Sequence, residues 1–128
     1  MLAERGCVVV TGGRDEVMTA AARGAKEAGG RTIGIVPSES PSEANEWIDA
    51  VVATGTGHAR NLAVAASGEA VIAIGGSWGT LSEIAFARRL GRPVVVLEPG
   101  WEIDDEGITR ASSAAEAVEI ALAALERA

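Results

Sequence analysis

Short apolar runs alternate with helix-patterned segments along the whole chain, and this alternation limits the possible folds more than any single residue does. Residues 7–11, 32–36, 50–53, 70–74 and 94–97 are rich in Val, Ile and Ala. They read as strands covered on both faces. Between them, residues 14–28, 59–67 and 81–90 read as helices, and glycines stop the chain at Gly29-Gly30 and Gly91. Asp15 is placed to cap the first of these, with Val17, Met18, Ala21, Ala25 and Ala28 along its buried side. Ser113-Ala-Ala-Glu116 is a capping box for a last helix whose buried stripe is Val118, Ala121, Leu122 and Leu125. Such alternation predicts an α/β fold with a Rossmann-like, open, mainly parallel sheet and helices on both faces. Ligands bind these sheets at the carboxyl ends of the strands.

The start of the chain departs from this pattern. Residues 2–5 followed by Gly6 read as the last turn of a helix with a glycine cap, so the alternation begins partway through a unit. That opening predicts a natural chain starting upstream of Met1, with a first strand, central in the sheet, missing here. At 128 residues the chain is one domain's worth, expected to form a single nucleotide-binding domain over 1–128.

Composition excludes several function classes. No apolar run approaches the roughly 20 residues of a membrane span, and residues 1–5 carry no signal-peptide pattern, so the cytoplasm is the expected location. Cys7 is the only cysteine and His58 the only histidine, which leaves no disulfide and argues against a zinc site. Cys7 reads as a small buried hydrophobe. A formal charge of −7 without a basic run makes nucleic acid an unsuitable partner. The acidic run from Glu102 to Glu106 reads as solvated charge rather than a metal site.

The candidate site centres on Ile74-Gly-Gly-Ser-Trp-Gly-Thr-Leu-Ser-Glu83, which joins a strand to a helix read as beginning at Thr80. Its three glycines let a ligand approach the backbone, and the helix dipole favours an anion at the same spot. A Walker A loop requires lysine before the threonine; Gly79 stands there, and Lys26 is the only lysine. The nearest approach to a dinucleotide fingerprint, Gly55-Thr-Gly57-His-Ala-Arg60, has arginine in place of the third glycine. Three further loops join this one at the ligand edge: Gly12-Gly13, residues 37–45, and residues 55–60. The expected ligand is therefore small and phosphate-bearing.

At this point the chain resembles a known group. Gly75-Gly-Ser-Trp-Gly-Thr-Leu-Ser-Glu83 is similar to the P-G-G-x-G-T-x-x-E signature of the Lonely Guy phosphoribohydrolases, long misnamed lysine decarboxylases. Glycine in place of the proline resembles the molybdenum cofactor carrier branch of that superfamily. His58-Ala-Arg60-Asn61 resembles the H-x-R-K element of Lonely Guy enzymes, and Gly12-Gly13 an upstream glycine-rich turn. The likeness spans about residues 6–97. It implies ligand binding by Gly12, Gly13, Gly75, Gly76, Ser77, Gly79, Thr80, Arg60 and Asn61, and, if the protein is an enzyme, a catalytic pair of Arg60 and Glu83. Ser77 replaces a motif glycine, Asn61 the motif lysine, and Asp15 and Glu16 stand where relatives have glycine; the lost cation and added carboxylates favour binding over hydrolysis.

Three readings stand. The first is a carrier-like protein holding an AMP-like nucleotide or the molybdenum cofactor, with no further cofactor required. The second is a hydrolase cleaving the N-glycosidic bond of nucleoside monophosphates, with Glu83 stabilising a cation-like transition state and activating water. The third is a nucleotide sensor that recruits a partner. Thr80-Leu-Ser-Glu83 also reads as a capping box and Arg60 as a surface arginine, so each residue has a structural alternative. His58 reads as a polar rim or helix-entry residue, Trp78 as an exposed aromatic of the loop suited to stacking on a base or plugging a subunit contact, and Trp47 and Trp101 as core or interface packing residues. Phe86 and Leu90 lie on a side of their helix away from Leu81, Ile84 and Ala85, which predicts a homodimer or higher homo-oligomer.

Overall fold

The computed structural model describes residues 1–13 and 17–126. The expectations placed on Asp15 and Glu16 lie outside the described residues. The chain forms two compact units, Met1–Val64 and Ala65–Ala128. Each contains a three-stranded parallel sheet, and with four helices the architecture is Rossmann-like α/β, as the alternation predicts. Among the described residues the ladders form one three-stranded sheet in each unit.

In the first unit, β1 (Val8–Thr11), β2 (Arg31–Val36) and β3 (Ala50–Ala53) pair in the order β1-β2-β3. A single 3-10 turn, Ala3–Arg5, closes on Gly6, which has the left-handed φ of 79° expected of a C-cap. Cys7 lies ahead of β1 and is half-buried, not the fully buried residue expected from its apolar neighbours. Helix α1 (Val17–Glu27) buries Ala22 and Ala25. Val17, expected in the buried stripe, sits in its first turn and is 45% exposed.

The long excursion between β2 and β3 is tied down through Thr32, whose side chain is fully buried. Its hydroxyl donates to Trp47 O (2.7 Å) and accepts from the Asp49 N–H (2.8 Å), while an Asp49 carboxylate oxygen accepts from the Thr32 N–H (2.9 Å). Lys26 Nζ completes the cluster at 2.8 Å from Asp49. Hydrogen bonding by Lys26 and then by the Thr32 amide holds the Asp49 carboxyl below its ordinary range. A buried hydroxyl thus has both donor and acceptor partners, as low-dielectric surroundings require.

The second unit contains β4 (Val71–Gly75), α3 (Trp78–Arg89), β5 (Val94–Gly100), β6 (Ile108–Ala111) and α4 (Ala114–Glu126), with strand order β4-β5-β6. Successive β5 side chains take opposite faces. Val94 and Val96 pack with Ala73, Ile84 and Ala87, the last two from α3, whereas Val95 packs with Ala117 and Ala121 of α4. Helices therefore cover both faces of this sheet. Val94, Val95 and Val96 are each only 1% exposed, which explains the continuous apolar run. The Ser113 cap forms as expected: its Oγ accepts from the Glu116 N–H, and Glu116 in return accepts from the Ser112 N–H.

Three expectations are corrected here. Strand β6 went unpredicted because its two middle residues are exposed, so it carries no apolar run. Phe86 packs against the same core cluster as Ile84 and Ala87, and Ala85 is exposed, so α3 does not carry the second apolar face assigned to it. Finally, α3 begins at Trp78 and not at Thr80.

Candidate functional site

In the first unit, Gly12 and Gly13 follow β1, and both are buried. A Cβ built on Gly12 would collide with Arg60 Nη1 and lie 2.9 Å from the Met18 thioether. Gly13, at φ 75°, has Val36 Cγ1 at 3.0 Å and Gly34 Cα at 3.1 Å from its own Cβ position. Its N–H donates to Thr11 Oγ1 and its carbonyl accepts from the Asn45 N–H at 2.8 Å. The turn is packed solid.

Arg60 opens α2 (Arg60–Ser67) after a 3-10 turn, Gly57–Ala59, that presents His58 to solvent. It is 9% exposed, with Nε and Nη1 sealed from water, so the surface-arginine reading is overturned. The glycine at position 12 makes room for this guanidinium. A guanidinium in such surroundings acts on anions with little dielectric screening. Asn61 follows on α2 and is half-buried.

The second unit carries the glycine loop and Glu83. Gly75 has φ 89°, and a Cβ at Gly75 or Gly76 would meet nothing within 4 Å. The backbone of this turn therefore faces open space. Ser77 is the N-cap of α3: its Oγ accepts from the Thr80 N–H at 3.1 Å and lies 2.9 Å from Thr80 Oγ1. Both hydroxyls assigned to the ligand thus also build the cap.

With Ser77 as cap, Trp78, Gly79 and Thr80 occupy the first three helical positions. Their first two N–H groups have no acceptor within the helix, and the helix dipole adds its positive end. An anion fits those amides. The same shift moves Glu83 into the second turn, three residues beyond the position from which a capping box could form, so the capping reading of Glu83 is overturned.

One feature was assigned only to packing. Beyond Leu97, β5 runs on to Gly100, which pairs with Gly75 across a register shift. Trp101 follows at once; its Nε1–H donates to Ser77 O at 3.0 Å, and its ring lies 5.2 Å from that of Trp78, inclined at 46°. Gly75, Gly76, Pro99, Gly100, Trp101 and Glu102 line an open depression of ≈ 560 Å³. The signal in the sequence was two of three tryptophans sitting directly after turn residues, Ser77-Trp78 and Gly100-Trp101.

The segment after Trp101 is anchored by Asp105, which accepts from the Gly107 N–H (2.8 Å) and Arg88 Nε (2.9 Å). These bonds, the Gly107 amide foremost, hold the Asp105 carboxyl below its ordinary range. Arg110 bridges Glu98 and Glu102 at 3.2 and 3.1 Å. The acidic run is exposed, but Asp105 and Glu102 within it are ion-paired.

The chain is 42% identical over 99 residues to an uncharacterized protein of Archaeoglobus fulgidus, covering 77% of this chain and 65% of that one. Among solved structures it is similar to the molybdenum cofactor binding protein from the phototrophic bacterium Rippkaea orientalis. That likeness has a TM-score of 0.88 and 36% identity over 97% of this chain and 81% of the other. It is also similar to the Moco carrier protein from Chlamydomonas reinhardtii, with a TM-score of 0.89 and 33% identity over 99% of this chain and 82% of the other. The sequence pattern of the SLOG cluster4 family matches residues 1–126, and the chain belongs to that family.

Proposed function

We propose that this protein is a carrier-like binder of a small phosphate-bearing ligand, held by its phosphate at the Gly75–Gly76 turn and the first amides of α3. The observation that carries this reading is the open face of that turn. At each glycine of the pair ahead of this capped twelve-residue helix, a Cβ would meet no atom within 4 Å beyond its chain neighbours. Similarity to the Rippkaea and Chlamydomonas proteins supports a cofactor-carrying role, with the molybdenum cofactor or an AMP-like nucleotide as the ligand. AMP and GMP should raise the melting temperature well above the effect of adenosine or free adenine. A panel of mononucleotides and pterin phosphates giving no shift would sink the reading.

A specific observation keeps the hydrolase as the second reading. Ser77 and not Thr80 caps α3, so Glu83 stands outside the capping box and the cap does not account for a carboxylate at that motif position. The corresponding mechanism has Glu83 activate water and stabilise a ribosyl cation. In that case Glu83→Gln should lower release of free base from a nucleoside monophosphate at least about a hundredfold. Glutamine keeps the size and reach of the side chain, so stability should change by less than about 1 kcal/mol. Equal or absent release by wild type and variant removes the hydrolase and leaves the carrier and the sensor. Homodimerisation remains part of the proposal, resting now on Leu90 at 40% exposure; sedimentation as a monomer at micromolar concentration would remove it.

A further inference from the structure

We propose that Trp78 and Trp101 form a stacking platform for a flat heterocycle, so that the ligand is a heterocycle-bearing monophosphate and not a bare phosphate or sugar phosphate. This rests on the phosphate-binding reading of the Gly75–Gly76 turn and extends it to the other end of the same ligand.

Trp78 is 77% exposed, although an indole is among the largest apolar groups a protein can bury. Its position explains the exposure only in part. As the first residue of α3, it projects from the helix end whose amides face the glycine turn. Trp101 is held differently. Its single donor is spent on Ser77 O, and it packs against the core cluster that includes Ile84 and Val96. Ring orientation is thereby fixed. The two planes are inclined at 46°, so the indoles do not close on each other face to face.

The depression beside them has the size of a nucleotide-scale ligand site. Its floor is backbone, from Gly75, Gly76 and Gly100, and its wall is Trp101. Charge sets the direction in which a ligand would lie. The α3 amides favour an anion at the glycine end. Phosphate therefore goes to the turn, and the uncharged ring toward the tryptophans. Stacking on an indole tolerates any base, because every base presents a π-face.

Fluorescence tests this in a Trp47→Phe background, where emission comes from Trp78 and Trp101 alone. GMP and AMP should quench it and bind at least about tenfold tighter than ribose 5-phosphate, as stacking on an aromatic side chain implies. Calorimetry should show ribose 5-phosphate binding without quenching. Trp78→Ala should keep the wild-type melting temperature, lower the mononucleotide affinity about tenfold and leave that for ribose 5-phosphate unchanged, with Trp78→Phe restoring part of the loss. If ribose 5-phosphate binds as tightly as GMP, or Trp78→Ala leaves GMP affinity unchanged, the platform is overturned while the phosphate turn stands. If neither mononucleotides nor ribose 5-phosphate bind, the turn reading fails and takes the platform with it.

Discussion

The turns after β1 and β4 are written alike, as glycine pairs leaving a parallel strand, yet they do different work. At Gly12-Gly13 the space a side chain would need is already taken by Arg60, Met18, Val36 and Gly34. At Gly75-Gly76 the same construction finds nothing within 4 Å. Each turn is also steadied by a hydroxyl: Thr11 Oγ1 accepts from the Gly13 N–H, and Ser77 Oγ accepts from the Thr80 N–H. The comparison teaches that a glycine pair does not by itself mark a ligand. One pair lets the protein pack on itself and lets an arginine be buried; the other leaves backbone amides uncovered at a helix start.

Substitution should break the symmetry most sharply. Gly13→Ala combines a left-handed φ with contacts to the backbone of Gly34, and should cost about 1–3 kcal/mol in chemical denaturation. Gly76→Ala meets open space at an ordinary φ and should stay within about 0.5 kcal/mol of wild type. If the two variants proved equally destabilised, the distinction between a packed and an open turn would be lost.

Ser77→Ala gives a smaller effect and sharpens the account of the open turn. Losing the N-cap should lower stability by about 1 kcal/mol, because the Thr80 N–H loses its acceptor. If Thr80→Ala, which leaves the Ser77 cap intact, instead cost more than Ser77→Ala, the helix would start where its sequence first suggests.

The smallest effect concerns pH and compares the anchors of the two units. Asp49 and Asp105 both titrate below the usual carboxylate range in the folded state. A depressed folded-state pKa contributes stability that is fully present above the unfolded value and is lost as pH falls through the folded one. Acid unfolding below the ordinary carboxylate range should therefore be flatter in Asp49→Asn and in Asp105→Asn than in wild type. Curves that superimpose would show that neither carboxylate matters to stability.

What the sequence revealed was local. Gly6 as a C-cap, the Ser113–Glu116 box and the buried run of β5 were all readable, because each depends on residues within a few positions. The start of α3 was misplaced because Gly79, a poor helix former, sits in its first turn and makes that turn look like loop. Strand β6 carries no apolar run to mark it, and the burial of Arg60 depends on distant partners, Gly12 and Met18. Trp101 looked like a packing residue and does pack, but its bond to Ser77 O across 24 residues also sets it beside the glycine turn.

The central claim, that Gly75–Gly76 holds the ligand's phosphate, is tested most directly by calorimetric titration of ribose 5-phosphate into wild type and Gly76→Val. The Cβ added at this position meets nothing within 4 Å, and the branched side chain extends from there over the turn. The account predicts a melting temperature close to wild type and at least about a tenfold weaker affinity, the loss expected when a hydrogen bond to a charged group is blocked. Unchanged affinity in Gly76→Val would place the phosphate elsewhere and contradict it.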